Sequence, residues 1–296
     1  MYYPYFRGKQ FDLLALTTLV EQHRLSTKIL PIIEPVKNSN ALKKFIHLFQ
    51  KENHPFYLIQ NPQAGDFLTE DGLLYLNSLS LDKAMIVEQP IETLHTESQL
   101  FVINNSTPAL QSDWQSNQIK VLLPKEFRLL QKIKGDKILS QDVFTRLPKT
   151  SFYQECPDEL FSDTHLTFQK SGFIGFSDFS IDSRIYYEHS YPSKILSLHL
   201  VYFKQKQLRI HHFLSSEDAP SQKDQFFELM AEVSDWGNTL YGENVTFGIE
   251  LLLESVSKEK FPGMGVMRKA TVMHHMELMS RYLDQHTDET EAFIRT

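Results

Sequence analysis

The chain has 296 residues, 41% of them hydrophobic and 12% aromatic, which excludes a disordered coil for most of its length. Its 11 Gly and single Cys exclude collagen-like and disulfide-stapled classes. Lys and Arg total 30 against 37 Asp and Glu, and the resulting net charge of −7 argues against non-specific nucleic-acid binding.

The opening residues, MYYPYFRGKQFDLL, lack the basic start and long apolar core of a signal peptide. No stretch approaches the apolar length that a membrane-spanning helix needs. The lone Cys156 has no partner for an intrachain disulfide, which fits a reducing cytoplasm. A cytoplasmic protein with no membrane association is therefore expected.

The first 145 residues repeat one theme of apolar run, polar cluster and helical pattern. Short apolar runs stand at 2–6, 29–36, 56–60, 84–88, 100–104, 119–123 and 137–140, and several are continuous rather than alternating. Continuous runs are expected of strands buried on both faces. Helical patterns lie between them, at 11–23, 39–52, 71–80 and 125–135. Ser39 is placed to cap the second, ahead of Leu42, Phe45, Ile46 and Phe49, and Gly135 suits the end of the fourth.

Alternating strands and helices predict parallel strands joined by crossovers. The first four strands start at Tyr2, Ile29, Phe56 and Ala84, at nearly equal intervals. The next starts, Leu100, Ile119 and Lys137, come closer together. A TIM-barrel-like α/β fold is expected, regular in its first half and distorted after it.

Residues 146–171 read as irregular, and GFIGFSDFS (172–180) is the candidate eighth strand. The runs 195–204 and 208–215 flank a KQKQ turn and predict an antiparallel hairpin. If Lys204 pairs with Gln207, His199 faces His212. Helical patterns follow at 222–242, 246–260 and 266–286, and residues 287–296 are expected to fray. The organisation expected is one domain over 1–296, with a hairpin insertion at 181–215 and a helical region at 222–286.

In a parallel barrel, functional groups stand at the C-terminal ends of the strands. Those positions hold Arg7 and Lys9, then Glu34, Gln60 and Asn61, Glu88 and Gln89, Asn104 and Asn105, Lys125 and Asp178. Carboxylates there suit acid–base or metal work, amides orient a ligand, and cations hold an anion. Glu34 lies in the apolar segment PIIEPV and is either a general acid/base or metal ligand, or half of a salt bridge to Arg7 or Lys9.

Two imidazoles facing each other at His199 and His212 could hold zinc with Asp178 as third ligand. PGMGVMRKATVMHH (262–275) places Arg268 and Lys269 at a helix start and His274 and His275 further along. Cations at a helix start suit a phosphate. The methionines of this helix suggest packing or a partner groove. GxSxG, Rossmann, kinase, Walker, HExxH and paired CxxC patterns are absent.

Five ordered segments resemble the bacterial beta family, in a subgroup without an assigned activity. They are YYPYFRGKQFDLLAL, ILPIIEPV, GFIGFSDFSI, LSLHLVYF with LRIHHFLS, and PGMGVMRKATVMHHMELM, spanning residues 2–279. The resemblance implies a TIM-barrel-like fold, a bacterial and mobile-element or phage-related setting, and a second protein encoded nearby. It carries over no catalytic set.

The leading expectation is a barrel-mouth site for an anionic small molecule, a nucleotide or phosphate ester, with hydrolysis the simplest reaction. Glu34, Asp178 and His274 would do the chemistry. Arg7, Lys9, Asn61, Glu88, Asn105, Arg268 and Lys269 would hold the ligand. The alternative is a non-catalytic interaction subunit of a two-component bacterial system, such as one for phage defence. It would carry an exposed apolar patch on the hairpin or the Met-rich helix.

Overall fold

The computed structural model describes residues 1–92, 100–114, 119–184 and 193–286. Residues 287–296 and the 185–192 part of the expected insertion lie outside these. The chain divides into two compact units that interleave in sequence. One comprises Met1–Leu13, Thr27–Asp142 and Thr164–Phe179; the other comprises Leu14–Ser26, Val143–Asp163 and Ser180–Thr296.

The first unit alternates strand and helix. Its elements run β1 (Tyr5–Phe6), α1 (Gln10–Glu21, whose later turns belong to the second unit), β2 (Ile32–Ile33), α2 (Asn40–Lys51), β3 (Tyr57–Ile59) and α3 (Glu70–Ser78). They continue through β4 (Lys83–Ile86), β5 (Leu100–Val102), α4 (Ser106–Gln111), β6 (Lys120–Leu123), α5 (Phe127–Lys132) and β7 (Asp136–Ser140). After β8 (Asp158–Ser162), a strand of the second unit, come α6 (Thr164–Thr167) and β9 (Gly175–Ser177).

The strands pair in the order β1-β2-β3-β4-β5-β6-β7-β9, all parallel. Tyr2 bridges both Ile29 and Phe176, and Tyr3 N donates to Phe176 O at 2.8 Å, which brings the first and last strands together. Carried back strand by strand through these registers, Phe176 falls level with Gln10, yet it bridges Tyr2. The ring is thus staggered by the eight positions between Tyr2 and Gln10, the shear of a TIM barrel. The fold is α/β and TIM-barrel-like.

Alternate residues fill the ring. Tyr3 and Tyr5, Leu30 and Ile32, Tyr57 and Ile59, Ala84 and Ile86, and Leu100 and Val102 form one buried cluster with Leu122, Ile138 and Phe179. A Cβ at Gly175 would stand 2.5 Å from the Tyr3 ring, so the ring closes there only around glycine. The opposite strand faces, such as Phe6, Ile33 and Leu58, are also buried, which is why the runs are continuous. Ser39 accepts from Leu42 N at 3.2 Å and caps α2, whose Leu42, Phe45, Ile46 and Phe49 are buried.

The second unit holds a three-stranded antiparallel sheet in the order β10-β11-β8, with β10 (Ser197–Lys204) and β11 (Gln207–Leu214) as the hairpin. Gln205 and Lys206 both adopt positive φ, as a two-residue hairpin turn requires. Lys204 pairs with Gln207 and His199 with His212. Helices α7 (Gln222–Tyr241), α8 (Phe247–Ser257) and α9 (Met264–Gln285) follow. Leu198, Leu200 and Tyr202 of β10 pack with Phe226, Met230, Ile249, Leu252 and Met267 into this unit's own core. On α9, Met267, Met273, Met276 and Met279 are buried. Among the described residues, no helix is long and apolar enough to cross a membrane.

Candidate functional site

Arg7, Glu34, Asn61 and Glu88 each stand two residues beyond an interior residue: Tyr5, Ile32, Ile59 and Ile86. Side chains alternate along a strand, so these four continue the inward-facing series just past the C-terminal ends of four adjacent strands. This is the rim on which TIM-barrel sites are built.

Hydrogen bonds join them. Glu34 Oε2 accepts from the Tyr5 hydroxyl at 2.7 Å and from Arg7 at 3.0 Å, and its Oε1 accepts from Gln63 N at 2.8 Å. Burial, then the adjacent Glu34, drives the Tyr5 phenol well above its ordinary pKa, so Tyr5 remains a donor. Asn61 mimics a strand: its Nδ2 donates to Ile86 O and its Oδ1 accepts from Ile86 N, both at 2.9 Å. Asn61 Nδ2 and Gln63 Nε2 each donate to Glu88 at 3.2 Å. Tyr5 and Arg7 therefore meet at Glu34, and from Glu34 a continuous path runs through Gln63 and Glu88 to Asn61. Glu34 is 1% exposed, the Arg7 side chain 12%, and Glu88 is open to solvent.

The other expected residues of this unit are placed differently. Asp178 accepts from the Tyr2 hydroxyl at 2.7 Å, and Tyr2 stacks on Phe176. Gly175 and Phe179 face the interior, so the strand's alternation turns Asp178 outward, away from Glu34. Asn105 caps α4, accepting from Thr107 N at 3.0 Å. Lys9 lies half-buried just before α1.

His274, Arg268, Lys269, His199 and His212 belong to the second unit. His274 is fully buried. Its Nε2 lies 2.8 Å from Val201 O, which can only accept, so Nε2 carries the proton and Nδ1 accepts from Thr246 Oγ1 at 2.7 Å. Both nitrogens are committed, and burial lowers the imidazole pKa to about 4. This is a core histidine. His275 meets Ser180 Oγ at 2.8 Å, and burial lowers it to about 3. Arg268 donates to Ile181 O at 2.9 Å and reaches Asp182 at 3.3 Å. Lys269 is half-buried on α9.

His199 and His212 face each other as the hairpin register requires, with Nδ1 to Nδ1 at 2.7 Å. They bond to each other rather than converge on a third point. Their carboxylate neighbour, Glu159, lies on the far nitrogen of His212 at 3.3 Å. No group of three or more ligands able to hold a metal ion occurs among the described residues.

Sequence reasoning missed Tyr5 and Gln63. Tyr5 is hidden inside an apolar run, and Gln63 acts through its backbone as well as its side chain. It also missed an open cleft of about 650 Å³ in the second unit, lined by Arg24, Ser26, Glu250, Glu277, Arg281 and Asp284 among others. Glu277 binds Arg24 at 2.9 Å, Arg281 at 2.7 Å and Phe247 N at 2.7 Å there. Those residues are scattered through the chain, and no local pattern marks them. Comparison with protein-family models, curated proteins and solved structures finds no match.

Proposed function

We propose that the barrel mouth binds a small molecule carrying one anionic group, a phosphate ester being the class that fits best. The observation that supports this is the linked series Arg7, Glu34, Asn61 and Glu88 at the strand ends. In this reading Arg7 faces the anionic group. Glu34 is its brace, since a carboxylate 3.0 Å away fixes the guanidinium's orientation. Glu88, open to solvent, meets the ligand's hydroxyl groups, and Asn61, whose amide is already bonded to Ile86 and Glu88, holds Glu88 in place. Glu34 already accepts three hydrogen bonds, so it is assigned a positioning role, and the proposal contains no bond-breaking step.

A cytoplasmic setting belongs to the same proposal and draws on the exposed, single Cys156. The resemblance to the bacterial beta family brings no activity to these residues. The interaction-subunit reading has less behind it: the hairpin and Met-rich helix on which it expects an exposed apolar patch contribute Leu198, Leu200, Met267 and Ala270 to a buried core.

The test is thermal unfolding with inorganic phosphate, glycerol 3-phosphate, ribose 5-phosphate and AMP. At about a hundredfold excess over Kd, a true ligand adds about 2.7 kcal/mol of stability. The expected result is a rise in Tm with one of the esters that is lost in Arg7→Lys and reduced in Glu88→Gln. Unfolding temperatures that none of these compounds moves would refute the proposal.

A further inference from the structure

Glu159, His212 and His199 stand on β8, β11 and β10, three adjacent strands of the antiparallel sheet. Glu159 Oε1 lies 3.3 Å from His212 Nε2, and His212 Nδ1 lies 2.7 Å from His199 Nδ1. The row reads carboxylate, imidazole, imidazole. The His212 side chain has no exposed surface, whereas His199 keeps part of its surface exposed. The Tyr153 ring stands 4.4 Å from His212 and 4.8 Å from His199, and Phe144 stands 5.4 Å from His199.

This arrangement fixes the hydrogens. A carboxylate only accepts, so His212 carries its proton on Nε2. Its Nδ1 is then a lone pair and accepts from His199 Nδ1–H. The remaining lone pair of the row therefore stands on His199 Nε2. The logic is that of a carboxylate setting a histidine tautomer in a hydrolytic triad, lengthened by one ring.

We propose that Glu159, His212 and His199 form a proton relay that takes up a proton at His199 Nε2 and holds it at His212. An N–H bond forms at His199 Nε2 with a proton given up by hydronium, which leaves as water, and the Nδ1 proton of His199 passes to Nδ1 of His212. His199 ends neutral in its other tautomer, and the positive charge rests on His212 beside Glu159.

The surrounding groups favour that placement. Burial lowers His212 below the ordinary imidazole range, and Glu159 and Asp158, both on β8, offset part of that. Burial, then His212, then Arg268 of α9 lower His199 to about 3, so His199 passes the charge on rather than keeping it. His211 on β11 and Tyr153 are the other titratable neighbours. The inference is independent of the barrel-mouth reading.

Nuclear magnetic resonance of protein labelled with 15N in the histidine rings tests it. At neutral pH the expected spectrum has His212 protonated at Nε2 and His199 protonated at Nδ1 with Nε2 bare. On acidification the charge is expected on His212, and Glu159→Gln is expected to lower that titration by about one pH unit. Diethyl pyrocarbonate is expected to acylate His199 at Nε2, read by mass spectrometry. A proton found on His199 Nε2 at neutral pH, a His199 inert to the reagent, or a titration unmoved in folded Glu159→Gln would overturn the relay. The wild-type tautomer decides by itself if the variant does not fold.

Discussion

Arg7 and Glu34 stand just past the ends of neighbouring strands of the barrel with 3.0 Å between guanidinium and carboxylate, and Glu34 is almost wholly buried. Such a pair is costly to break from one side, because the surviving charge loses its partner. Glu34→Leu takes the carboxylate from Arg7, the Tyr5 hydroxyl and Gln63 N together, and is expected to cost about 3–5 kcal/mol in urea unfolding. The double variant Arg7→Met/Glu34→Leu is expected to lose less than Glu34→Leu alone, since the guanidinium leaves with the carboxylate that faces it. A double variant weaker than the single one would contradict the pairing.

Two buried histidines make the second unit sensitive to acid. His274 and His275 titrate near 6.5 when unfolded and near 4 and 3 when folded. Between those limits the unfolded chain binds more protons, so stability falls as pH drops below 6.5. The loss is about 1.4 kcal/mol per group per pH unit, or about 4 kcal/mol for the pair by pH 5. Denaturant midpoints at pH 7, 6 and 5 check this. His274→Gln is expected to flatten the pH dependence whatever it does to stability at pH 7.

Helices α8 and α9 touch at Gly248. A Cβ there would lie 2.1 Å from Ala270 O and 2.7 Å from His274 N, both backbone atoms. No side-chain rotation relieves that clash, so the helices must move apart. Gly248→Ala is expected to cost at least about 2 kcal/mol, with broadened signals from the α8 and α9 methyl groups. A neutral Gly248→Ala would mean that the helices lie further apart.

Two helix caps give a graded comparison. The Ser39 hydroxyl accepts from Leu42 N, so Ser39→Ala is expected to cost about 1 kcal/mol. Thr246 caps α8 through Ile249 N and also donates to His274 Nδ1. Thr246→Ala loses the cap and leaves a buried nitrogen unpaired, which adds about 1–3 kcal/mol. Equal losses in the two variants would show that the Thr246–His274 bond contributes nothing.

The ring of parallel strands was legible because strands buried on both faces must be apolar throughout. The hairpin register followed from its short polar turn and the alternation on either side. Other features were hidden. β8 is short, half-exposed and preceded by Pro157, so DELFS carries no strand signature. Gly135 looks like a helix end, but α5 stops at Lys132, and Gly135 instead makes room for Ile119 O. In GFIGFSDFS, phenylalanines recur every third residue and mask the two-residue period, so which of Ser177 and Asp178 faces inward cannot be read from it. The Arg7–Glu34 contact could be anticipated from strand order, whereas Gln63 could not, since it contributes a backbone N–H that any residue but proline supplies.

Tyr2 and Tyr3 hold on to Phe176 of β9, the last strand of the ring to be reached along the chain. A ribosome therefore delivers the opening strand long before its second neighbour exists, and that strand waits with one edge unpaired while β2 to β7 are made. Fusions or truncations that delay or remove β9 should leave a hydrogen-bonding seam open on both sides, ready to recruit strands from other chains.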